Sequence, residues 1–302
     1  MLRFQAFYQP APWGGRRLYE LFGRPLPEGL IGESWELCEV PEHPERDSVV
    51  VTDCAFKGQT LGALWRAGEL GGSAKGPFPF LLKWLDAMQR LSVQVHPDEA
   101  ACQKLGKGSS KTEAWYVAEV DSKASLLIGH YPGLDAMSLR QSALGGTLQK
   151  WLYETRPRLG DMYLLKAGTI HAIGGGLLLL EVQQPSDTTF RIYDWGRVGS
   201  DGLPRQLHLE EAAASVAYQR FGAPQPARYG VVGPTFLMRT AKVGSEFEAA
   251  ALRVFTATLG GCVLTTRHGE ERLEYGDVVV AQPSDGVVRV ASGSVVFVGE
   301  PS

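Results

Sequence analysis

Ser92, Gln94 and His96 stand two apart in an alternating apolar and polar stretch, Leu91-Ser92-Val93-Gln94-Val95-His96. That is the period of a strand, so the three side chains share one face. Lys111 and Glu113 share a face in the next alternating stretch, and Lys166-Ala167-Gly168-Thr169-Ile170-His171 reads as a strand end whose tight turn delivers an imidazole. Two histidines and a carboxylate, His96, Glu113 and His171, with Gln94 as a fourth donor, form a mixed nitrogen and oxygen set of the kind Zn2+ accepts, with room for water or substrate. A histidine on its own is ordinarily a hydrogen-bonded core or surface residue. His43, His130, His208 and His268 have no comparable company and read as surface or structural.

A second set of residues suits an anionic ligand. Lys83, Lys111, Arg191 and Arg197, with Ser92, could hold a phosphate and the developing charge of a sugar intermediate. Arg191 interrupts an apolar alternating run, where an unpaired guanidinium is expensive. The alternation over much of residues 178–193 aims Glu181, Gln183, Arg191 and Asp187 toward a common face.

The elements that must carry these groups are short strands. Residues 80–85 and 91–96 read as strands, as do residues 48–51, and residues 61–70 as a short helix. Trp13 and Trp35, beside glycines, read as packing at a barrel end. Two segments of residues 134–154, LDAMSLRQSALGG and TLQKWLYETR, space apolar residues three and four apart. They predict one or two amphipathic helices inserted in the strand series, covering an open edge or one end of the site. A polar turn with Gly199 and Gly202, a helix from His208 and a connector, GAPQPARYGVVGP, follow. Beyond it short strands resume. Gly276-Asp277-Val278-Val279-Val280-Ala281-Gln282-Pro283 echoes Gly160-Asp161-Met162-Tyr163-Leu164-Leu165-Lys166-Ala167, without a histidine where His171 stands.

Composition sets the class. The chain is 44% hydrophobic and 21% charged, with 30 Lys plus Arg against 33 Asp plus Glu, a net of −3 with no basic block. Nucleic acid and an anionic membrane surface are therefore not expected partners. Neither a signal-like N-terminus nor an apolar run of membrane-spanning length stands in the sequence, so a cytoplasmic location is expected. Cys38, Cys54, Cys102 and Cys262 lack metal or disulfide spacing and suit reduced thiols.

Five segments together resemble the type I mannose-6-phosphate isomerase family in its short bacterial form. They are Gly32-Glu33-Ser34-Trp35-Glu36, Leu91 to Asp98, Lys111-Thr112-Glu113-Ala114-Trp115-Tyr116, Gly168 to Gly174, and Glu181 to Asp194. The match runs in order over roughly residues 5–215. It implies a mainly β fold of cupin jelly-roll barrels, a bicupin with a small inserted helical segment: a catalytic cupin domain over residues 1–225 and a metal-free cupin-like β domain over 226–302. It implies one Zn2+ per chain on Gln94, His96, Glu113 and His171. Carried over by motif position, Arg191, Glu181 and Lys111 become catalytic, while Ser92, Lys83, Asp187 and Arg197 become substrate-binding. Lys166, where cupins often have proline, and Phe190, in place of a common tyrosine, depart from the pattern without removing a ligand or charge. The implied reaction interconverts mannose 6-phosphate and fructose 6-phosphate through an enediol, with a small sugar phosphate as partner; the sequence leaves the oligomeric state open. Two other readings fit the residues: a non-catalytic sugar-phosphate-binding cupin, and a metal cupin enzyme acting on another substrate.

Overall fold

Strand β10 (Leu177–Gln183) is buried along its whole length, and its position explains its composition. It lies inside an antiparallel sheet ordered β1 (Phe7–Gly15), β2 (Ile31–Leu37), β3 (Leu81–Ala87), β10, β5 (Glu113–Val120) and β8 (Met162–Leu165). A second sheet is ordered β11 (Phe190–Tyr193), β4 (Val93–Val95), β9 (His171–Ile173), β6 (Leu126–His130) and β7 (Leu152–Thr155). Leu85, Trp115, Ile128, Tyr163, Ile173 and Leu179 pack between these two sheets as the interior of one jelly roll. The computed structural model describes residues 1–198, 202–222 and 225–301, so Gly199 of the expected polar turn and Ala223 and Pro224 of the expected connector lie outside the described residues.

A third sheet, of seven strands, forms the second barrel. Its path is β12 (Gly230–Val232), β13 (Leu237–Ala241), β18 (Val287–Gly299), β15 (Val254–Thr266) and β16 (Gly269–Leu273), with β14 (Glu246–Glu248) on β18 and β17 (Val278–Val280) on β15. Phe255, Leu264, Val279, Val288 and Val290 fill it. Its outer residues Met238, Val254, Val296 and Val298 pack against Leu82, Trp84, Leu178 and Leu180 of the first barrel. β10 is thus covered on both faces, which is why Leu177 to Leu180 is an unbroken apolar run, at the start of a stretch read as alternating over much of residues 178–193. The mainly β, two-barrel architecture agrees with the sequence reading.

The echo between the barrels is a real repeat of backbone geometry. Asp161 Oδ2 accepts from Arg158 N at 2.8 Å, and Asp277 Oδ2 from Glu274 N at 3.1 Å. Gly160 N and Asp161 O both bond Val117, and Gly276 N and Asp277 O both bond Ala257. The strand registers extend the correspondence: Gln183 opposite Glu113 matches Gly299 opposite Arg253, and Gln94 opposite His171 matches Glu248 opposite Val287. The first of these second-barrel pairs continues the ladder Val254 to Val298 by one step. Three of the four candidate donor positions of the first barrel, Gln94, Glu113 and His171, therefore correspond to Glu248, Arg253 and Val287 in the second.

The helices are α1 (Arg17–Glu20), α2 (Leu61–Arg66), α3 (Glu99–Leu105), α4 (Ala136–Leu144) and α5 (Leu209–Ser215). Only the first half of the expected helical insert is α-helix. TLQKWLYETR instead forms a single 3-10 turn, Leu148–Trp151, and then β7, because pairing with β6 gives its backbone partners that a helix would have had to supply internally. The insert covers the outer face of the five-stranded sheet, where Leu139, Ala143 and Leu148 meet Val93, Ala172 and Ile192. It does not close the site. Residues 48–51 make isolated bridges, Val50 to Phe4 and Val49 to Thr60, in place of a strand. The division at residue 225 also has a crossing: Leu2 pairs with Val280, so the start of the chain joins the second barrel. Among the described residues no helix is long and apolar enough to cross a membrane.

Candidate active site

β4, β5 and β9 bring their polar residues together inside the first barrel. His96 Nε2 stands 3.1 Å from Glu113 Oε2, and His171 Nε2 stands 3.3 Å from Glu113 Oε1. Both imidazoles face a backbone carbonyl with Nδ1, His96 at Thr188 O and His171 at Thr169 O, each at 2.9 Å. A carbonyl only accepts, so each Nδ1 carries the proton and each Nε2 presents a bare lone pair to the carboxylate. Burial, followed by the charge of Lys111, pushes His96 down to about 4; burial is also the main cause that lowers His171. Burial would raise Glu113, but positive charge beside it, with Lys111 Nζ 3.4 Å from Oε2, holds it well below the usual carboxylate range.

Three anionic or lone-pair-bearing groups thus converge at 1–2% exposure, and His96 Nε2 and both Glu113 oxygens are buried without a hydrogen-bond partner among the described residues. Such an arrangement is costly by itself and is satisfied by a divalent cation between the groups. Their donor atoms all lie within 4.8 Å of one another. Gln94 completes the set: its amide nitrogen lies 3.2 Å from His171 Nε2, and a half-turn of the amide presents its oxygen instead. The residues fit Zn2+, and the Nδ1 to carbonyl bonds hold both rings in the ligating tautomer.

Beside this cluster opens a cavity of about 350 Å³ with Gln94 and Lys111 on the shared wall. Lys83 of β3 and Glu181 of β10 are register partners that point into it. Lys83 Nζ is 3.2 Å from Glu33 and 3.6 Å from Glu181, and it sits 4.7 Å from the centre of the Trp35 ring. Burial works to depress this ammonium, but Glu33, Glu181 and Asp187 outweigh it and raise it above the usual lysine value. Glu181 accepts from Trp115 Nε1 at 2.8 Å. Burial, then the charge of Glu113, pushes Glu181 up to about 7 against the pull of Lys83 and Lys111.

Ser92, Asp187 and Arg191 also line the cavity. Arg191 is braced on both backbone groups, its N donating to His208 Nδ1 at 3.2 Å and its O accepting from His208 N at 2.7 Å. Its Nη1 donates to Gln206 O, while Nε is buried and unpartnered among the described residues. Burial and then Arg205 lower its guanidinium from the usual value, a sign that this wall favours an anion.

Two sequence expectations are corrected. Arg197 is not on the cavity wall: it binds Asp194 Oδ1 at 2.5 Å and the carbonyl of Arg90 at 2.6 Å. Arg205, held by the same Asp194 through two bonds of 2.6 Å, lines the cavity in its place. Gln183 follows the expected alternation, yet its amide donates to Ser186 O and Gln184 O and stays out of the cavity. Sequence reasoning also passed over Glu33, Thr189 and Arg205, and treated Trp13 as packing although it lines the wall. Glu33 had a signal: a buried lysine on a neighbouring strand requires an anion.

Residues 1–137 match the family described as phosphomannose isomerase type I, catalytic domain. A mannose-6-phosphate isomerase of Streptococcus mutans is 38% identical over 237 residues, covering 78% of this chain and 72% of that protein. The crystal structure of the mannose 6-phosphate isomerase of Bacillus subtilis superposes with a TM-score of 0.86 at 26% identity, over 99% of each chain. A zinc-bound mannose 6-phosphate isomerase, at 18% identity and a TM-score of 0.72 over 100% of this chain and 99% of that one, shares the fold.

Proposed function

Since this chain belongs to the type I phosphomannose isomerase family, we propose that it interconverts mannose 6-phosphate and fructose 6-phosphate using one Zn2+ held by Gln94, His96, Glu113 and His171. The observation that carries this reading is the pair of bare Nε2 atoms facing the Glu113 carboxylate, set against a cavity walled by Lys83, Lys111, Arg191 and Arg205. The cluster provides for a cation, and the wall beside it for an anionic substrate. The reading is of a cytoplasmic enzyme of carbohydrate metabolism.

The reaction moves a proton between C1 and C2 of the open-chain sugar and passes through an enediol. When bound, Zn2+ would supply positive charge against the oxygens that become negative in that step. Arg191 faces the same charge from the protein side, held in aim by His208. Glu181 carries the proton: burial pushes its carboxyl up from the usual carboxylate range, which suits it to take and return a proton, and Trp115 fixes its orientation. Lys83 lies within 3.6 Å of Glu181 and offsets the charge that the carboxylate gains. Ser92 and Asp187 bind sugar hydroxyls, and the cationic wall holds the phosphate.

A coupled assay for fructose 6-phosphate, run on zinc-loaded protein supplied with mannose 6-phosphate, tests this. Turnover that falls by about two orders of magnitude or more in Glu181→Gln is the expected result. Zinc-loaded protein that forms no fructose 6-phosphate overturns the reading.

A further inference from the structure

The loop between β2 and α2 carries Glu42 and His43, neither of which the metal cluster or the cavity wall uses. Glu42 Oε1 accepts from Ser109 Oγ at 3.1 Å, and His43 Nε2 stands 2.9 Å from Asp187 Oδ2. These adjacent residues clasp two different segments. Residues 107–112 bring Lys111 to the site, and residues 186–189 bring Asp187 to the cavity wall and Thr188 O to His96 Nδ1. The two segments are themselves knitted together, Ser109 N donating to Thr188 Oγ1 at 3.0 Å and Ser186 Oγ to Ser109 O at 3.1 Å.

Among the described residues no other hydrogen bond holds the Asp187 carboxylate. The charges of Lys83 and Lys111 also act on it, against its burial, without fixing its direction. The His43 ring is itself located by an edge contact with Trp35 at 5.6 Å between centroids, and Trp35 donates through Nε1 to Glu33 Oε2 at 2.7 Å. A continuous set of contacts therefore runs from the β2 strand through Trp35 and His43 to Asp187.

We propose that His43 is a positioning residue: its Nε2–H orients Asp187 so that the carboxylate meets the hydroxyls of the sugar phosphate, making the loop of residues 41–47 part of the substrate-recognition apparatus. This rests on the isomerase reading above, in which Asp187 binds substrate. The effect falls on binding. His43→Ala raises KM for mannose 6-phosphate about tenfold while kcat stays within about twofold. His43→Gln, whose amide nitrogen can occupy the place of Nε2, recovers most of the loss. Because a catalyst leaves the equilibrium constant unchanged, kcat/KM for fructose 6-phosphate falls by the same factor.

The test is a double-mutant cycle of His43→Ala with Asp187→Ala, both directions assayed, with zinc content and thermal midpoint measured for each variant. The expected result is that the double variant loses no more than Asp187→Ala alone. Additive losses, or a fall in kcat and thermal midpoint with KM unchanged, overturn the proposal. A second readout is independent of turnover: imidazole 15N shifts show His43 as the Nε2–H tautomer in the parent chain and a changed tautomer in Asp187→Ala, where Nε2–H loses its acceptor and Glu45, 3.5 Å from Nδ1, draws the proton to the other nitrogen. Inactivity of the parent chain with that tautomer change intact sinks the isomerase reading and leaves the positioning bond; unchanged 15N shifts sink the positioning bond itself.

Discussion

The residues of the site divide by what they face. His171 faces Glu113, and its replacement by alanine removes one donor of the set; zinc affinity is expected to drop by more than about 100-fold in equilibrium dialysis. Arg191 faces the cavity, so Arg191→Ala keeps its zinc and loses about 100- to 1,000-fold in turnover. The perturbed groups also set a pH dependence of stability in zinc-free protein. His96, with a folded value of about 4 against about 6.5 unfolded, binds fewer protons in the folded chain, so stability falls as pH drops through that window. Glu181 acts with the opposite sign. Its folded value of about 7 lies above the unfolded value of about 4.3, so its contribution is present at low pH and lost as pH rises through 7. Zinc-free Glu181→Gln is therefore expected to be more stable than the parent chain above pH 7, by on the order of 1–3 kcal/mol in denaturant titrations, with the gap closing below about pH 4.5. A gap of the same size at both ends would contradict the assignment. The four candidate donors could be named from the sequence because strand alternation gives Gln94, His96 and Glu113 polar positions on strand faces and the turn at Gly168 delivers His171. Arg205 and His43 could not: His43 meets Asp187 from a distant segment, while Arg197 and Arg205 both bind the one nearby acceptor Asp194, and only the folded chain decides which of the two also lines the cavity.

At the scale of elements, the turn of residues 166–170 decides whether His171 reaches the cluster. Gly168 has φ +86°, and a Cβ there would meet the Ala217 Cβ at 2.9 Å and Ser215 O at 3.1 Å. Its backbone also bonds His96 O and Ala217 N, tying the turn to the residue that follows β4 and to the segment after α5. Gly168→Ala is expected to lower stability by about 2–4 kcal/mol and to weaken zinc retention with it. Gly160, at φ +82° with open space around it, offers the contrast: Gly160→Ala costs about 1 kcal/mol and leaves zinc binding alone. Calorimetric melts with and without zinc separate the two. The sequence failed at this scale where burial or pairing overrode local pattern. Leu148, Trp151 and Leu152 have helical spacing, yet the open edge of β6 claims residues 152–155 as a strand. Leu177 to Leu180 lost its alternation because a second barrel covers what would otherwise be a solvent face.

At the scale of the molecule, the two barrels share one apolar interface. Trp84 Nε1 donates to Gly276 O at 3.1 Å across it, and Leu2 pairs with Val280. Ending the chain at residue 225 would expose Phe80, Leu82, Trp84, Leu178 and Leu180 on the outer face of the six-stranded sheet. That fragment is expected to aggregate on size-exclusion chromatography, whereas a soluble, zinc-binding fragment would show that the first barrel stands alone. The repeat of the Gly160 and Gly276 turns shows how one backbone plan serves both barrels while three of the four candidate donor positions diverge to Glu248, Arg253 and Val287. The first barrel therefore holds the candidate metal cluster and the cavity beside it, and the second covers its outer sheet. The measurement that bears most directly on this account is isomerisation of mannose 6-phosphate during stepwise return of zinc to chelator-stripped protein. The account predicts negligible turnover without metal, rising in proportion to bound zinc and levelling at one ion per chain. Full turnover by the stripped protein, or a plateau with no turnover at one bound zinc, would contradict it.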